Sequence, residues 1–205
     1  MFRMIGKGTY GCVYKPSLSC SDGTYTSQEN HVSKLMPSKF ASAEHKLQSR
    51  VDDIDPNSIF HYPIIKTCVP DYIPKKCSEC EPGDARCLET CCDTRAGLKD
   101  LHMLVYEDGG KPLIEALKDP SLNMDMLYKG LWRLFFGLYV IHNNDLYHLD
   151  IKSDNVLVQI TPDEYTIKYI DFGIMKTSEE VLKTTLTLNR YRRINRPKLL
   201  LYMKL

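Results

Sequence analysis

Tyr147-His148-Leu149-Asp150-Ile151-Lys152-Ser153-Asp154-Asn155 is the most specific stretch of the chain, setting histidine, aspartate, lysine and asparagine in the spacing H-x-D-x-K-x-x-N. An aspartate in such a loop can accept a proton from a hydroxyl, and the lysine two positions on can neutralise a transferring anionic group. The asparagine amide oxygen can bind a metal ion. Sixteen residues beyond Asn155, Tyr169-Ile170-Asp171-Phe172-Gly173 ends an apolar strand with a carboxylate suited to magnesium.

Working outward toward the N-terminus, Ile5-Gly6-Lys7-Gly8-Thr9-Tyr10-Gly11-Cys12-Val13 contains G-x-G-x-x-G followed two residues later by valine. Glycines there let a backbone close over phosphates. Alone the motif also fits a dinucleotide site, which needs a helix opening within it; here the residues after Gly11 continue as strand, which favours a phosphate-covering flap. Lys34, in the strand-like Val32-Ser33-Lys34-Leu35, is placed to reach the α- and β-phosphates of a nucleotide. Glu44, ten residues on in a helical pattern, is the candidate to pair with it, at a shorter separation than expected for such a pair.

In order and spacing, these motifs resemble the eukaryotic-type serine/threonine protein kinases from residue 2 to about residue 175. The terse loops and Ile54-Asp55-Pro56 are similar to kinases of large DNA viruses of the Mimivirus kind. The resemblance implies an α+β fold of two lobes, a small antiparallel β N-lobe and a truncated, mainly helical C-lobe. It implies ATP and Mg2+ as cofactors and a protein serine or threonine as acceptor. Asp150 and Lys152 would be catalytic, with Asn155 and Asp171 on the metal. Residues 5 to 13, Lys34 and Glu44 would bind ATP. Tyr106 would be the gatekeeper, with Glu107 and Gly109 presenting backbone groups to adenine.

The hydrophobic pattern supports that organisation. Residues 2 to 35 alternate around glycines as a small sheet does. Phe40, Ala43, Leu47 and Val51 predict an amphipathic helix over 40–51 that ends before Asp55-Pro56. Leu101 to Tyr106 reads as a buried strand broken by Asp108-Gly109-Gly110, and 156–160 with 165–170 reads as a hairpin. Met124 to His142 is the strongest helix, with Leu127, Leu131, Leu134, Phe135, Leu138, Val140 and Ile141 as an apolar face at the heart of the second lobe. The expected divisions are 1–106 for the N-lobe, with a Cys-rich loop insertion at 67–97, then 107–175 for a partial C-lobe, and 176–205 for a truncated activation segment and tail.

With 27 basic against 26 acidic residues, charge gives no reason to expect a nucleic-acid or membrane partner. No signal-peptide core follows Met1, so an intracellular, cytoplasmic protein is expected, in host cytoplasm or virion if viral. Of eight cysteines, five (Cys77, Cys80, Cys87, Cys91, Cys92) crowd together, which argues for a local feature rather than a stapled fold. A reduced, local cysteine-rich insertion is the expectation, and Cys77, Cys80, Cys87 and Cys91, which offer thiolates enough for tetrahedral zinc, make a zinc site the alternative.

Two departures shape the functional expectation. Leu149 stands where many kinases carry an arginine that receives an activation-loop phosphate, so a switch of that kind is not expected. Only 32 residues follow Gly173, without Ala-Pro-Glu, so a peptide-substrate platform is expected to be missing. The basic tail from Leu186 to Leu201 fits either a terminal helix or a frameshifted end. ATP-dependent transfer to a protein serine or threonine is the leading expectation. A non-catalytic nucleotide-binding or partner-binding module is the alternative, and small-molecule phosphorylation a third.

Overall fold

A computed structural model describes residues 2–7, 11–72 and 100–191, the last seven as backbone only. Five strands build one antiparallel sheet: β1 (Arg3–Lys7), β2 (Cys12–Lys15), β3 (His31–Pro37), β4 (Lys66–Cys68) and β5 (Leu101–Glu107), in the order β1-β2-β3-β5-β4. One face of this sheet buries Cys12, Tyr14, Leu35, Met103 and Val105. Along β2, β3 and β5 these residues alternate with Val13, Lys34 and Leu104, which lie on the sheet's other face. A disulfide between Cys20 and Cys68 ties the loop after β2 to β4. It departs from the expectation of a local cysteine feature rather than a stapled fold, because the two partners are 48 residues apart and buried in the sheet's core. The insertion expected over 67–97 also begins later, since Thr67 and Cys68 pair with Leu104 and Met103. Its remaining residues, with Cys77, Cys80, Cys87, Cys91 and Cys92, lie outside the described ones.

β3 runs without a loop into α1 (Ser38–Ile54), which stops at Asp55 before Pro56 as proline demands. The buried stripe of α1 is Ala41, Glu44, Gln48 and Val51, displaced from the predicted Phe40, Ala43, Leu47 and Val51. The reason is polar: Gln48 donates to the Tyr62 carbonyl at 3.2 Å, and Glu44 meets cations described below. Apolar periodicity does not register buried groups whose burial is compensated by hydrogen bonds.

After β5 the chain breaks at Gly110, whose φ of +83° is open to glycine. It then forms β6 (Lys111–Pro112), α2 (Leu113–Ala116) and α3 (Met124–Asn143), with Asn123 capping α3 through a bond from the Met126 amide. β7 (Leu146–Tyr147) follows, then a 3-10 turn at Ser153–Asn155 and the hairpin β8 (Val156–Ile160) and β9 (Tyr165–Tyr169). A second core gathers Leu127 and Ile141 of α3, Val156, Val158, Ile167 and Tyr169 of the hairpin, Phe60, Phe172, and Val51 of α1. The α+β, two-lobe arrangement expected from the sequence is therefore present, with α1 giving Val51 to this second core and Ala41 to a smaller cluster with Met36 and Leu104.

Two features depart from the expected pattern. Phe135 is 71% exposed although it was assigned to the buried face of α3, because Gly130 and Gly137 bring the opposite side of the helix against Tyr165 and Phe60. The segment after Met175, for which the sequence suggests a terminal helix only from Leu186, forms β10 (Lys176–Thr177), paired with β7, and then α4 (Ser178–Tyr191), so the helix starts earlier than expected. Thr177 and Glu180 make a reciprocal capping box at its start, with Thr177 N on Glu180 Oε2 at 2.8 Å and Glu180 N on Thr177 Oγ1 at 3.2 Å. The signal T-x-x-E was legible in the sequence. Among the described residues no helix is long and apolar enough to cross a membrane.

Candidate active site

The antiparallel register of β3 with β5 places Lys34 opposite Leu104 and Val32 opposite Tyr106. Lys34 and Tyr106 are thus diagonal neighbours on one face of the sheet, the face against α1. Because β3 passes directly into α1, ten residues suffice to bring Glu44 back over Lys34. Lys34 Nζ donates to both Glu44 oxygens at 2.7 Å and to Asp171 Oδ1 at 3.2 Å. Burial pulls the Lys34 ammonium pKa down, but the carboxylates of Glu44 and Asp171 outweigh it, leaving the pKa above the ordinary value. Lys34 therefore stays a cation at any physiological pH.

The second half of the site is the loop from β7 to the 3-10 turn. His148 is buried, donates through Nε2 to the Ile170 carbonyl at 3.1 Å and accepts the Asp150 amide on Nδ1 at 3.3 Å. One donating and one accepting nitrogen define a neutral ring. Burial pushes its pKa below the ordinary histidine value. The ring also packs on Phe172, with centroids 4.7 Å apart, so one side chain joins this loop to the segment bearing Asp171.

Asp150 Oδ2 accepts Lys152 Nζ at 2.8 Å and Asn155 Nδ2 at 2.7 Å, and Asn155 Nδ2 also reaches the Asp150 carbonyl at 2.9 Å. The Lys152 bond, followed by that of Asn155, holds the Asp150 pKa below the usual carboxylate range, and Asp150 in turn raises that of Lys152. Because the Asn155 amide spends its NH2 group on Asp150, its oxygen is left as the acceptor end. Leu149 and Asp171 both have φ of +63°, and backbone held in this region marks places where surrounding structure forces a direction on the next side chain.

The flap is described only in part. β1 and β2 pair with Gly6 opposite Val13 and Lys7 opposite Cys12, while Gly8, Thr9 and Tyr10 lie outside the described residues. Gly11 cannot carry a side chain without displacement, since a Cβ there would stand 2.5 Å from the Leu35 carbonyl oxygen. Cys12 was assigned to ATP binding, but its side chain is buried in the sheet's core. Strand alternation turns it away from the face that carries Val13, so only its backbone could meet a nucleotide. At the hinge, the Asp108 amide donates to Asn30 O at 2.9 Å and its carbonyl accepts Gln159 Nε2 at 3.4 Å. A Cβ on Gly109 would stand 2.6 Å from Leu157 Cδ1, so Leu157 underlies the hinge. Leu157 belongs to no motif of the sequence; its only signal there is its place two residues after Asn155.

One prediction concerns His148. The unfolded chain takes up a proton on this residue near pH 6.5, whereas the folded site resists it. The unfolded state therefore binds more protons below that pH, and stability falls as pH drops through about 6.5 toward the lower folded pKa. Urea unfolding at pH 7.5 and 5.5 should show this loss, and His148→Gln should show less of it. An equal loss in parent and variant would assign the effect elsewhere.

The protein kinase domain family matches residues 87–192, just over half of the chain. Mitogen-activated protein kinase 7 of Arabidopsis thaliana is 34% identical over 110 residues, 52% of this chain and 28% of that protein. Cyclin-dependent kinase E-1 of the same plant is 38% identical over 64 residues, 31% of this chain and 14% of that protein. Serine/threonine-protein kinase 17A of Oryctolagus cuniculus is 30% identical over 84 residues, 38% and 21% of the two chains. The chain spans less than a third of the length of these curated relatives. The family match includes Asp150, Lys152, Asn155 and Asp171; Lys34 and Glu44 precede it and rest on the geometry above.

Proposed function

The chain belongs to the protein kinase domain family, and from that premise we propose that it binds ATP with magnesium and transfers the γ-phosphoryl group to a serine or threonine hydroxyl of a protein. The observation that carries this is the convergence of Lys34, Glu44 and Asp171 from three separate elements, beside the bonded set Asp150, Lys152 and Asn155. A cation and two metal-suited oxygens beside a carboxylate base are the parts that phosphoryl transfer requires. Lys152 at two positions after Asp150 favours serine and threonine, as does the name of one relative. The similarity to kinases of large DNA viruses belongs to the same proposal and rests on the loops alone.

The donor set suits magnesium. Asp171, 43% exposed, and the Asn155 amide oxygen are hard oxygen ligands. Among the described residues no three His, Cys, Asp or Glu side chains form a metal-binding group, and magnesium commonly takes one or two protein oxygens with the rest from phosphates and water. Such an ion would neutralise charge on the phosphates. The chain's own residues do the remaining work. Lys34, held by Glu44, offers positive charge to the α- and β-phosphates. Asp150, kept ionised by Lys152 and Asn155, orients the acceptor hydroxyl and takes its proton. Lys152 Nζ lies beside that carboxylate, where charge shifts during transfer.

Nucleotide should stabilise the fold only when magnesium is present, because binding to the native state alone raises the melting temperature. Melting curves with millimolar ATP, with and without magnesium, and with Asp171→Ala, test this. An equal shift in the Asp171→Ala protein would remove Asp171 from the metal site.

A further inference from the structure

We propose that Tyr106 is a positioning residue of the phosphate site, whose hydroxyl orients the Glu44 carboxylate and through it the Lys34 ammonium. The inference rests on the function proposed above and assigns a role that the resemblance does not supply. Tyr106 Oη donates to Glu44 Oε1 at 3.2 Å, and Lys34 Nζ donates to both oxygens of the same carboxylate. The donors come from β5 and β3, the acceptor from α1.

Three considerations make this contact more than packing. First, an ammonium is a point charge with freely turning hydrogens, so Lys34 fixes the distance of the Glu44 carboxylate but little of its plane. A phenol hydroxyl on a stiff ring, projecting from the adjacent strand, supplies the second direction. Second, Lys34 is shared: its Nζ also meets Asp171 Oδ1, so any tilt of Glu44 shifts the ammonium between the two carboxylates. Third, the Tyr106 ring is packed against Met36, Ala41 and Leu104, which leaves the hydroxyl little freedom to turn elsewhere. Burial, with the Glu44 charge next, lifts the Tyr106 pKa well above the ordinary tyrosine value, so the group remains a donor throughout the working pH range.

Tyr106→Phe removes the hydroxyl and keeps the ring. The expected result is a kcat for phosphoryl transfer lower by about tenfold, the size of one lost hydrogen bond to a charged group, with KM for ATP changed by less than about twofold. The partition arises because the ring still lines the cleft while the hold on Lys34 is looser. In a Glu44→Gln background the same substitution should cause no further loss, since the two act as one unit. A second readout needs no catalysis: the rate at which trinitrobenzenesulfonate modifies Lys34, followed by mass spectrometry, should rise several-fold in Tyr106→Phe. Unchanged kcat and unchanged Lys34 labelling in a folded variant would overturn the proposal, as would a loss that simply adds to that of Glu44→Gln. If the parent transfers no phosphate but Lys34 labelling still responds, the positioning role stands and the kinase activity falls. If neither is seen, both fall.

Discussion

Asp150→Asn should reduce phosphoryl transfer by about a thousandfold, the middle of the range for losing a positioned general base. Asparagine keeps the size of the side chain and an oxygen that can still accept the Asn155 amide, so the loop should keep its shape. What it loses is the negative charge that takes the proton and that holds Lys152 at 2.8 Å. The melting temperature should therefore stay within a few degrees of the parent's, and nucleotide affinity should change little, because an asparagine oxygen at this position still accepts the Asn155 amide and leaves the Asn155 oxygen turned to the metal. The measurement is a rate with saturating ATP, accompanied by a melting curve. A folded variant retaining more than a tenth of the parental rate would take the base role away from Asp150.

The second large effect is on stability. The Cys20–Cys68 disulfide closes a loop of 48 residues, and chain-entropy arithmetic for a loop of that length gives about 4 kcal/mol of stabilisation through the unfolded state. That is a large share of what a domain of this size has to lose. Replacing both partners by alanine should lower the urea midpoint of the N-terminal sheet accordingly, and the candidate phosphate site should loosen with it, since β4 pairs with β5 at Met103, Leu104 and Val105, directly before Tyr106. The bond is buried, with Cys20 at 4% and Cys68 at 8% exposure, which slows its exchange with external thiols. A double-alanine variant within about 1 kcal/mol of the parent would show that the crosslink constrains little.

The loop half of the candidate site is legible in the sequence because its spacing is local. His148, Asp150, Lys152 and Asn155 lie within eight consecutive residues, so their spacing alone specifies the loop, and the structure bonds all four together. Lys34 and Glu44 were legible for a related reason, since a strand leading directly into a helix leaves few ways to pair them. Where function depended on contacts between distant segments, the sequence was mute. The buried stripe of α1 was displaced because Glu44 and Gln48 are polar residues whose partners, Lys34 and the Tyr62 carbonyl, no hydrophobic pattern reveals. Cys20 and Cys68 could not be paired from spacing, which never fixes connectivity. Tyr106 was placed at the cleft, but its bond to Glu44 joins residues 62 apart in sequence. On α3, periodicity identified the helix, yet which aromatic residues are covered depends on the close approach allowed by Gly130 and Gly137.

Leu149 bears on regulation in the same physical terms. It offers neither charge nor donors to a phosphate, and Thr177, a candidate for modification by its position, is engaged in the capping box that starts α4. Hydrogen bonding of Thr177 Oγ1 to the Glu180 amide uses the hydroxyl structurally. A phosphate there would meet the carboxylate of Glu180 at close range, which disfavours rather than orders that segment.

The most direct test of phosphoryl transfer is incubation of the purified chain with γ-labelled ATP, magnesium and a mixed protein acceptor such as casein or histone, followed by phosphoamino-acid analysis. The predicted result is label on serine and threonine, dependent on magnesium and absent with Asp150→Asn. Magnesium-dependent binding of ATP without any transfer above the Asp150→Asn background would contradict it, and would identify the chain as a nucleotide-binding module that has the parts of the reaction but does not perform it.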